Sequence, residues 1–194
     1  MKKNKRPSDE VELSKDVQKA IKKALGAQYP KKKKKNWPTR HFQLESCPGL
    51  VFFKATEPDS FEDDVGDNIV GGVVDTRKSK PTALLPEADK QGVCKLIGQV
   101  LAEGFPNSGD GLPPIDDMVR LVECLFVRTS CSIAKDEASV NDHWATADHF
   151  VSEGLVGCVP QVSRNASGSI QVTYCYTRNG KYTTANKETV EFKL

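Results

Sequence analysis

The sequence predicts a small mixed α+β domain with helices and a C-terminal antiparallel hairpin, preceded by a disordered or helical basic arm. Three observations predict this class. Apolar residues with the spacing of one buried helical stripe run from Val93 to Leu101. Apolar and polar residues alternate from Ile170 to Tyr176, shortly before Asn179-Gly180, a dipeptide typical of β-hairpins. Positive charge is concentrated before residue 41, and the rest of the chain is acidic.

The first 40 residues are expected to form a basic N-terminal arm. They hold twelve lysines and two arginines against four acids, a net charge of +10, whereas residues 41–194 carry −8. Residues 1–9 are polar and are expected to be disordered. Apolar residues then recur at every fourth position from Leu13 to Leu25, which predicts a short amphipathic helix that ends at Gly26. The helix is expected either to dock on the body or to remain disordered.

Residues 41–194 are expected to form one globular domain. Apolar and β-branched segments predict three strands, near Phe42 and at 50–53 and 69–74, and a further strand is predicted at 190–194. Helical periodicity predicts three helices, at 93–105, 116–128 and about 141–154. The acidic segment 57–67 is interpreted as an exposed loop. No apolar stretch approaches the length of about 20 residues that a membrane-spanning helix needs.

The cysteines are interpreted as thiols, because their wide spacing does not resemble a small secreted disulfide scaffold. They are Cys47, Cys94, Cys124, Cys131, Cys158 and Cys175. No apolar segment follows the N-terminal lysines, so a secretory signal peptide is not predicted. The expected location is intracellular: cytoplasmic, or nuclear if the organism is eukaryotic. The sequon Asn165-Ala166-Ser167 would carry no glycan there.

No metal, cofactor or catalytic residue is predicted. His143 and His149 would lie about 120° apart on a helix, and the chain has no Cys-x-x-Cys pair. The motifs of nucleophile elbows, phosphate-binding loops, dinucleotide-binding turns and zinc proteases are absent from the sequence. Cys47 and His41 form the one neighbouring thiol and imidazole pair, but Pro48-Gly49 beside them indicates a turn.

The segment from Ile115 to Tyr182 resembles a winged-helix domain in the order of its elements. A helix, a polar connection and a second helix lead to Glu153-Gly154-Leu155-Val156 and a hairpin. The resemblance implies a polar wing at Ser163–Ser169 between two strands. The helix that would enter the major groove carries no lysine or arginine, but it carries three acids, Asp142, Asp148 and Glu153. Those acids would repel a duplex and favour contact with a protein.

Charge and aromatic residues predict a site for a polyanion. The lysine run attracts nucleic acid, an anionic membrane surface or an import receptor by the same Coulomb force, and an aromatic beside it can stack on bases. The basic residues between 161 and 187 meet no acid in that segment. The expected nucleic-acid-binding residues are Lys31, Lys32, Lys33, Lys34, Lys35, Trp37, Arg40, Arg164, Arg178 and Lys181.

The sequence therefore favours a nucleic-acid-associated accessory or regulatory protein that attaches through its arm. One alternative is an adaptor or inhibitor whose acidic body binds a basic protein, and a third is an uncharacterised enzyme. The lysine run could also be a solvated linker, or could fold back onto the acidic segment 57–67 until a competing polyanion arrives.

Overall fold

The computed structural model describes residues 13–32, 36–57, 69–105, 111–127, 131–134, 158–178 and 184–193. Over these residues the helices are α1 (Lys15–Gln28), α2 (Pro86–Gly104) and α3 (Ile115–Leu125), with a 3-10 turn at Pro30–Lys32. The strands are β1 (Thr39–Phe42), β2 (Leu50–Thr56), β3 (Ile69–Asp75), β4 (Thr82–Leu84), β5 (Cys131–Ile133), β6 (Gln161–Arg164), β7 (Ile170–Arg178) and β8 (Thr184–Phe192). The predicted α+β class is confirmed.

The elements stack in four layers. The first sheet has the antiparallel order β1-β2-β3-β4. In the second sheet β7 is central, with β8 along one edge and β5 and β6 in succession along the other. Helices α2 and α3 lie between the two sheets and share the main core with both of them. Helix α1 covers the opposite face of the first sheet, over a separate apolar cluster.

The main core follows the helical stripe that the sequence predicts. Val93, Ile97 and Leu101 of α2 are buried against apolar residues of both sheets. The helix begins at Pro86, whose fixed φ suits a first turn, and is kinked at Asp89, where the backbone is non-helical (φ −153°, ψ 71°). Beyond the kink, the Asp89 Oδ1 accepts a hydrogen bond from the Gly92 N–H at 2.7 Å. Helix α3 ends at Leu125, where the backbone N–H of Phe126 donates to the Val122 carbonyl at 2.9 Å.

Helix α1 is docked, as one of the two expectations for it states. Its apolar stripe, Val17, Ile21 and Leu25, is buried against residues of β2 and β3. The prediction that the helix ends at Gly26 is wrong. Gly26 is buried inside the helix, which continues to Gln28 and closes where the Tyr29 N–H donates to the Leu25 carbonyl at 2.8 Å. A glycine is tolerated here because packing stabilises the turn that contains it.

The strands predicted in the first sheet are confirmed as β1, β2 and β3, while β4 was not predicted. The three residues of β4 are too few to show a period. Alternation along β2 places Phe52 against α2 and α3, and Phe53 under α1. Gly71 of β3 permits a close approach, because a Cβ there would lie 1.8 Å from the Cys124 carbonyl oxygen at the end of α3.

The C-terminal antiparallel hairpin is confirmed by β7 and β8, which pair along their whole length from Ile170–Phe192 to Arg178–Thr184. The predicted strand at 190–194 is the end of β8. Asn179-Gly180, the predicted helix at 141–154 and the acidic residues 58–67 lie outside the described residues. Within the described part of the chain, no helix combines the length and the apolar character that crossing a bilayer requires.

Two of the cysteines form a disulfide, Cys158–Cys175. The interpretation of all six as thiols is wrong for this pair. The physical reason is strand register: β6 runs antiparallel to β7 with Gln161 opposite Thr173, so the residues just before β6 come alongside Cys175. Free, buried thiols remain at Cys47, Cys94 and Cys124.

Replacing Cys158 with serine is expected to lower the free energy of unfolding by about 2–4 kcal/mol. The disulfide closes a loop between residues 17 positions apart, and its loss restores the loop entropy of the unfolded chain. Urea unfolding of wild type and Cys158→Ser, each with and without reductant, measures this. Reductant should lower the stability of wild type and leave Cys158→Ser unchanged. Equal stability of the two proteins without reductant would contradict the bridge.

Candidate functional site

The docked helix α1 presents a basic face to the outside. Its four lysines, Lys15, Lys19, Lys22 and Lys23, are all exposed, on the side away from the buried stripe. The one acid of the helix, Asp16, lies in its first turn, with its Oδ1 3.6 Å from the Lys19 Nζ. An acid suits the positive end of the helix dipole. The helix therefore carries a net positive charge in a fixed place.

A cleft of about 490 Å³ lies between α1 and β1. None of the described residues that line it carries a carboxylate. They are Leu13, Gln18, Ile21, Lys22, Leu25, Asn36, Trp37, Thr39 and His41. Thr39 and His41 reach it because they pair with Ala55 and Phe53 of β2, whose side chains lie on the face that α1 covers. The cleft thus has an apolar floor and polar walls.

Trp37 is held at this cleft by contacts with the end of α1. Its ring centroid lies 5.2 Å from that of Tyr29, and its carbonyl accepts a 2.9 Å hydrogen bond from the Thr39 hydroxyl. The Tyr29 hydroxyl donates to the Glu87 carboxylate of α2 at 2.7 Å. Burial, together with this carboxylate, raises the pKa of Tyr29 to about 12, so the phenol stays a neutral donor. Trp37 is therefore placed by Tyr29, which caps α1 and is itself held by Glu87 of α2, and by Thr39 of β1.

The predicted lysine run lies next to the cleft in the chain. Lys31 is exposed, and Lys32 forms an ion pair with the Glu57 carboxylate. Glu57 is the first residue of the acidic segment 57–67. The ion pair is therefore one contact between the lysine run and that segment, the arrangement given above as an alternative. Lys33, Lys34 and Lys35 lie outside the described residues.

Arg40 does not line the cleft. It pairs with Lys54 across β1 and β2, and strand alternation places both on the face of the first sheet opposite α1. Arg40 is exposed there. Arg40 and Trp37 are close in sequence, but they lie on opposite sides of the first sheet.

Arg164 is committed to backbone contacts within the protein. Its guanidinium donates to the carbonyl oxygens of Gly168 at 2.8 Å, Phe105 at 2.8 Å and Gly111 at 3.2 Å. These bonds tie the start of the β6–β7 turn to the end of α2. Arg178 belongs to β7, but its side chain and Lys181 lie outside the described residues.

Four polar residues of the cleft were missed by sequence reasoning: Gln18, Asn36, Thr39 and His41. Periodicity shows that Gln18 lies outside the buried stripe of its helix, but no local signal shows that β1 lies beside that helix. The helical period also places Lys22 outside the apolar stripe, but it gives no sign that Lys22 lines a cleft.

Cys47 and His41, the thiol and imidazole that are neighbours in sequence, do not meet in the structure. His41 lines the cleft, whereas Cys47 is buried in the main core on the other side of the first sheet. Burial raises the pKa of Cys47 to about 12 and that of Cys124 to about 12, which keeps both protonated at neutral pH. Among the described residues, no group of three or more His, Cys, Asp or Glu could hold a metal ion.

The segment interpreted as a wing forms the turn between β6 and β7. Asn165 organises it, with its Oδ1 accepting hydrogen bonds from the backbone N–H groups of Ser167 and Ser169, each at 3.0 Å. Gly168 has φ of 88°, a conformation that favours glycine.

Comparison of this chain with protein-family models, with curated proteins and with solved structures found no match.

Proposed function

We propose that this protein binds nucleic acid through the exposed lysine face of α1, as an accessory or regulatory protein. The observation that carries the proposal is the docking of α1. Burial of Val17, Ile21 and Leu25 orients the helix, so that its lysines form one outward surface with a single acid among them. The cleft and the exposed Lys31 adjoin this surface, and none of the described residues that line the cleft is acidic.

The dimensions of the lysine face support a phosphate backbone as the partner. From Lys15 to Lys23 the helix rises about 12 Å, at 1.5 Å per residue. Over the same length duplex DNA presents about seven phosphate charges, and a single strand presents about half as many. Several lysines can therefore contact neighbouring phosphates together. Such contacts release counterions, so binding should weaken steeply as salt rises.

Replacing Lys15, Lys22 and Lys23 with glutamine is expected to lower the salt dependence of binding. If all three contact phosphates, the slope of log Kobs against log salt should fall in magnitude by up to about 3 for duplex DNA. Lys19 is left in place because it pairs with Asp16. The measurement is fluorescence anisotropy of labelled DNA and RNA oligonucleotides between about 50 and 200 mM salt.

The matched control replaces three exposed lysines on α2 and the second sheet, Lys95, Lys187 and Lys193, with glutamine. It makes the same change in net charge and should retain the wild-type slope. If the slope falls equally in both variants, the salt dependence reflects overall net charge and not the lysines of α1. No binding by wild type at low salt would refute the proposal. Substitution is preferred to deletion of residues 1–40, because deletion would uncover the apolar cluster beneath α1.

A further inference from the structure

We propose that the cleft between α1 and β1 receives an unstacked base, so that the protein prefers single-stranded nucleic acid to duplex. This inference rests on the proposed function, since the lysine face of α1 must bind the phosphate backbone of the nucleic acid. It adds the class of nucleic acid and assigns a role to Trp37. In a duplex the bases are stacked and paired, whereas single strands can splay their bases outward onto aromatic side chains.

The size and floor of the cleft suit such a group. Its volume of about 490 Å³ falls within the range of about 300–1,000 Å³ typical of small-molecule sites. Ile21 and Leu25 supply apolar surface, and Trp37 supplies an aromatic ring. Stacking on an aromatic ring tolerates every base, because each base has a π face. The cleft therefore fits binding with little sequence preference.

The polar residues of the cleft match the edges of a base. The Asn36 amide can both donate and accept hydrogen bonds. The Gln18 amide donates one N–H to the Leu13 carbonyl at 3.0 Å and keeps its oxygen and second N–H, while the Thr39 hydroxyl, which donates to the Trp37 carbonyl, can still accept. Base edges offer donors and acceptors together, so amides are suitable partners for them. These groups line the cleft from both sides, with Gln18 on α1, Thr39 on β1 and Asn36 just before β1. A base can therefore satisfy its polar edge in the same cleft that takes its flat face.

Charge around the cleft favours a polyanion over a neutral ligand. Lys22 belongs both to the lysine face of α1 and to the cleft lining, so it joins the two surfaces. Lys31 is exposed just beyond the end of the helix. A strand lying along α1 would place its phosphates on these lysines while one base enters the cleft. An acidic peptide could also use the lysines, and its backbone could pair with the amides, but a run of carboxylate side chains offers no flat ring to stack on the indole.

The test compares labelled (dT)20 with a 20-base-pair duplex by fluorescence anisotropy, using the full chain at low salt. Wild type is expected to bind the single strand more tightly. Trp37→Leu is expected to reduce that preference about tenfold or more, the effect of losing one stacked base. Trp37→Phe keeps an aromatic ring and should recover most of it. A thermal melt of each variant separates lost binding from lost folding.

The outcomes distinguish this inference from the proposed function. If wild type binds both oligonucleotides equally and Trp37→Leu behaves like wild type, the inference fails while salt-dependent binding through α1 stands. If no nucleic acid binds, both fail. If poly-glutamate binds as tightly as (dT)20 with the same dependence on Trp37, the cleft is a peptide site and the inference is overturned. If Trp37→Phe binds as poorly as Trp37→Leu although folded, stacking is not the interaction.

Discussion

Replacing Gly98 with alanine is expected to destabilise the protein by about 2 kcal/mol or more, or to prevent its folding. Gly98 lies in α2 where the helix meets the end of β8, and a Cβ there would lie 1.9 Å from the Lys193 carbonyl oxygen. The helix backbone that would carry this Cβ and the Lys193 carbonyl are both main chain, so neither can move aside as a flexible side chain would. Alanine normally gains about 1 kcal/mol over glycine in a helix, but overpacking costs about 1–3 kcal/mol or more. The clash should therefore win.

Gly104→Ala is the matched control, in the same helix. Among the described residues outside its own helix, the nearest atom to a Cβ at Gly104 would be the Ser46 carbonyl oxygen at 3.9 Å, which is an ordinary contact. This variant should be neutral or slightly more stable than wild type. Urea unfolding followed by circular dichroism compares the two variants with wild type. Similar stability of Gly98→Ala and Gly104→Ala would show that α2 and β8 pack less closely than described.

Replacing Ile21 with aspartate is expected to cost about 4 kcal/mol or more of stability, or to release α1 from the sheet. Ile21 is 3% exposed and packs over Val51, Phe53 and Val74. Loss of such a side chain costs about 2–5 kcal/mol, and a buried carboxylate without a partner adds a further penalty. The cluster beneath α1 is separate from the main core, so the second sheet is expected to stay folded.

Lys23→Asp is the control for this substitution. Lys23 is exposed on the same helix, so the new carboxylate stays in water and should change stability by about 0.5 kcal/mol or less. Urea unfolding gives the stabilities. In a Trp144→Phe background, which leaves Trp37 as the one tryptophan of the chain, emission reports the environment at the cleft. Equal stability of Ile21→Asp and Lys23→Asp would contradict docking of α1. That result would also contradict the cleft between α1 and β1, because Ile21 forms part of its apolar floor.

Elements with a strong local period were the ones the sequence predicted. The stripe from Val93 to Leu101 and the alternation from Ile170 to Tyr176 became α2 and β7. In each case a single buried face repeats at the period of the backbone, so a one-dimensional pattern carries the information. The three residues of β4 were missed because they span too few repeats to show any period.

Contacts between distant segments were not predictable in the same way. The disulfide depends on the register of β6 against β7, and the cleft depends on which edge of the first sheet lies beside α1. Arg164 was predicted as a phosphate contact from its charge alone. In the structure its guanidinium donates to the carbonyl oxygens of Phe105, Gly111 and Gly168, contacts that its charge alone does not reveal.

The sequence by itself determined the α+β class, the helical stripe of α2, the hairpin strands and the concentration of positive charge before residue 41. These depend on local periodicity and on composition. Only the tertiary structure decided that α1 docks, that its lysines share one outward face, and that Trp37 lines a cleft while Arg40 lies on the other side of the sheet. The reason is that a surface is made by residues from separate elements, and their meeting depends on packing that no local pattern records.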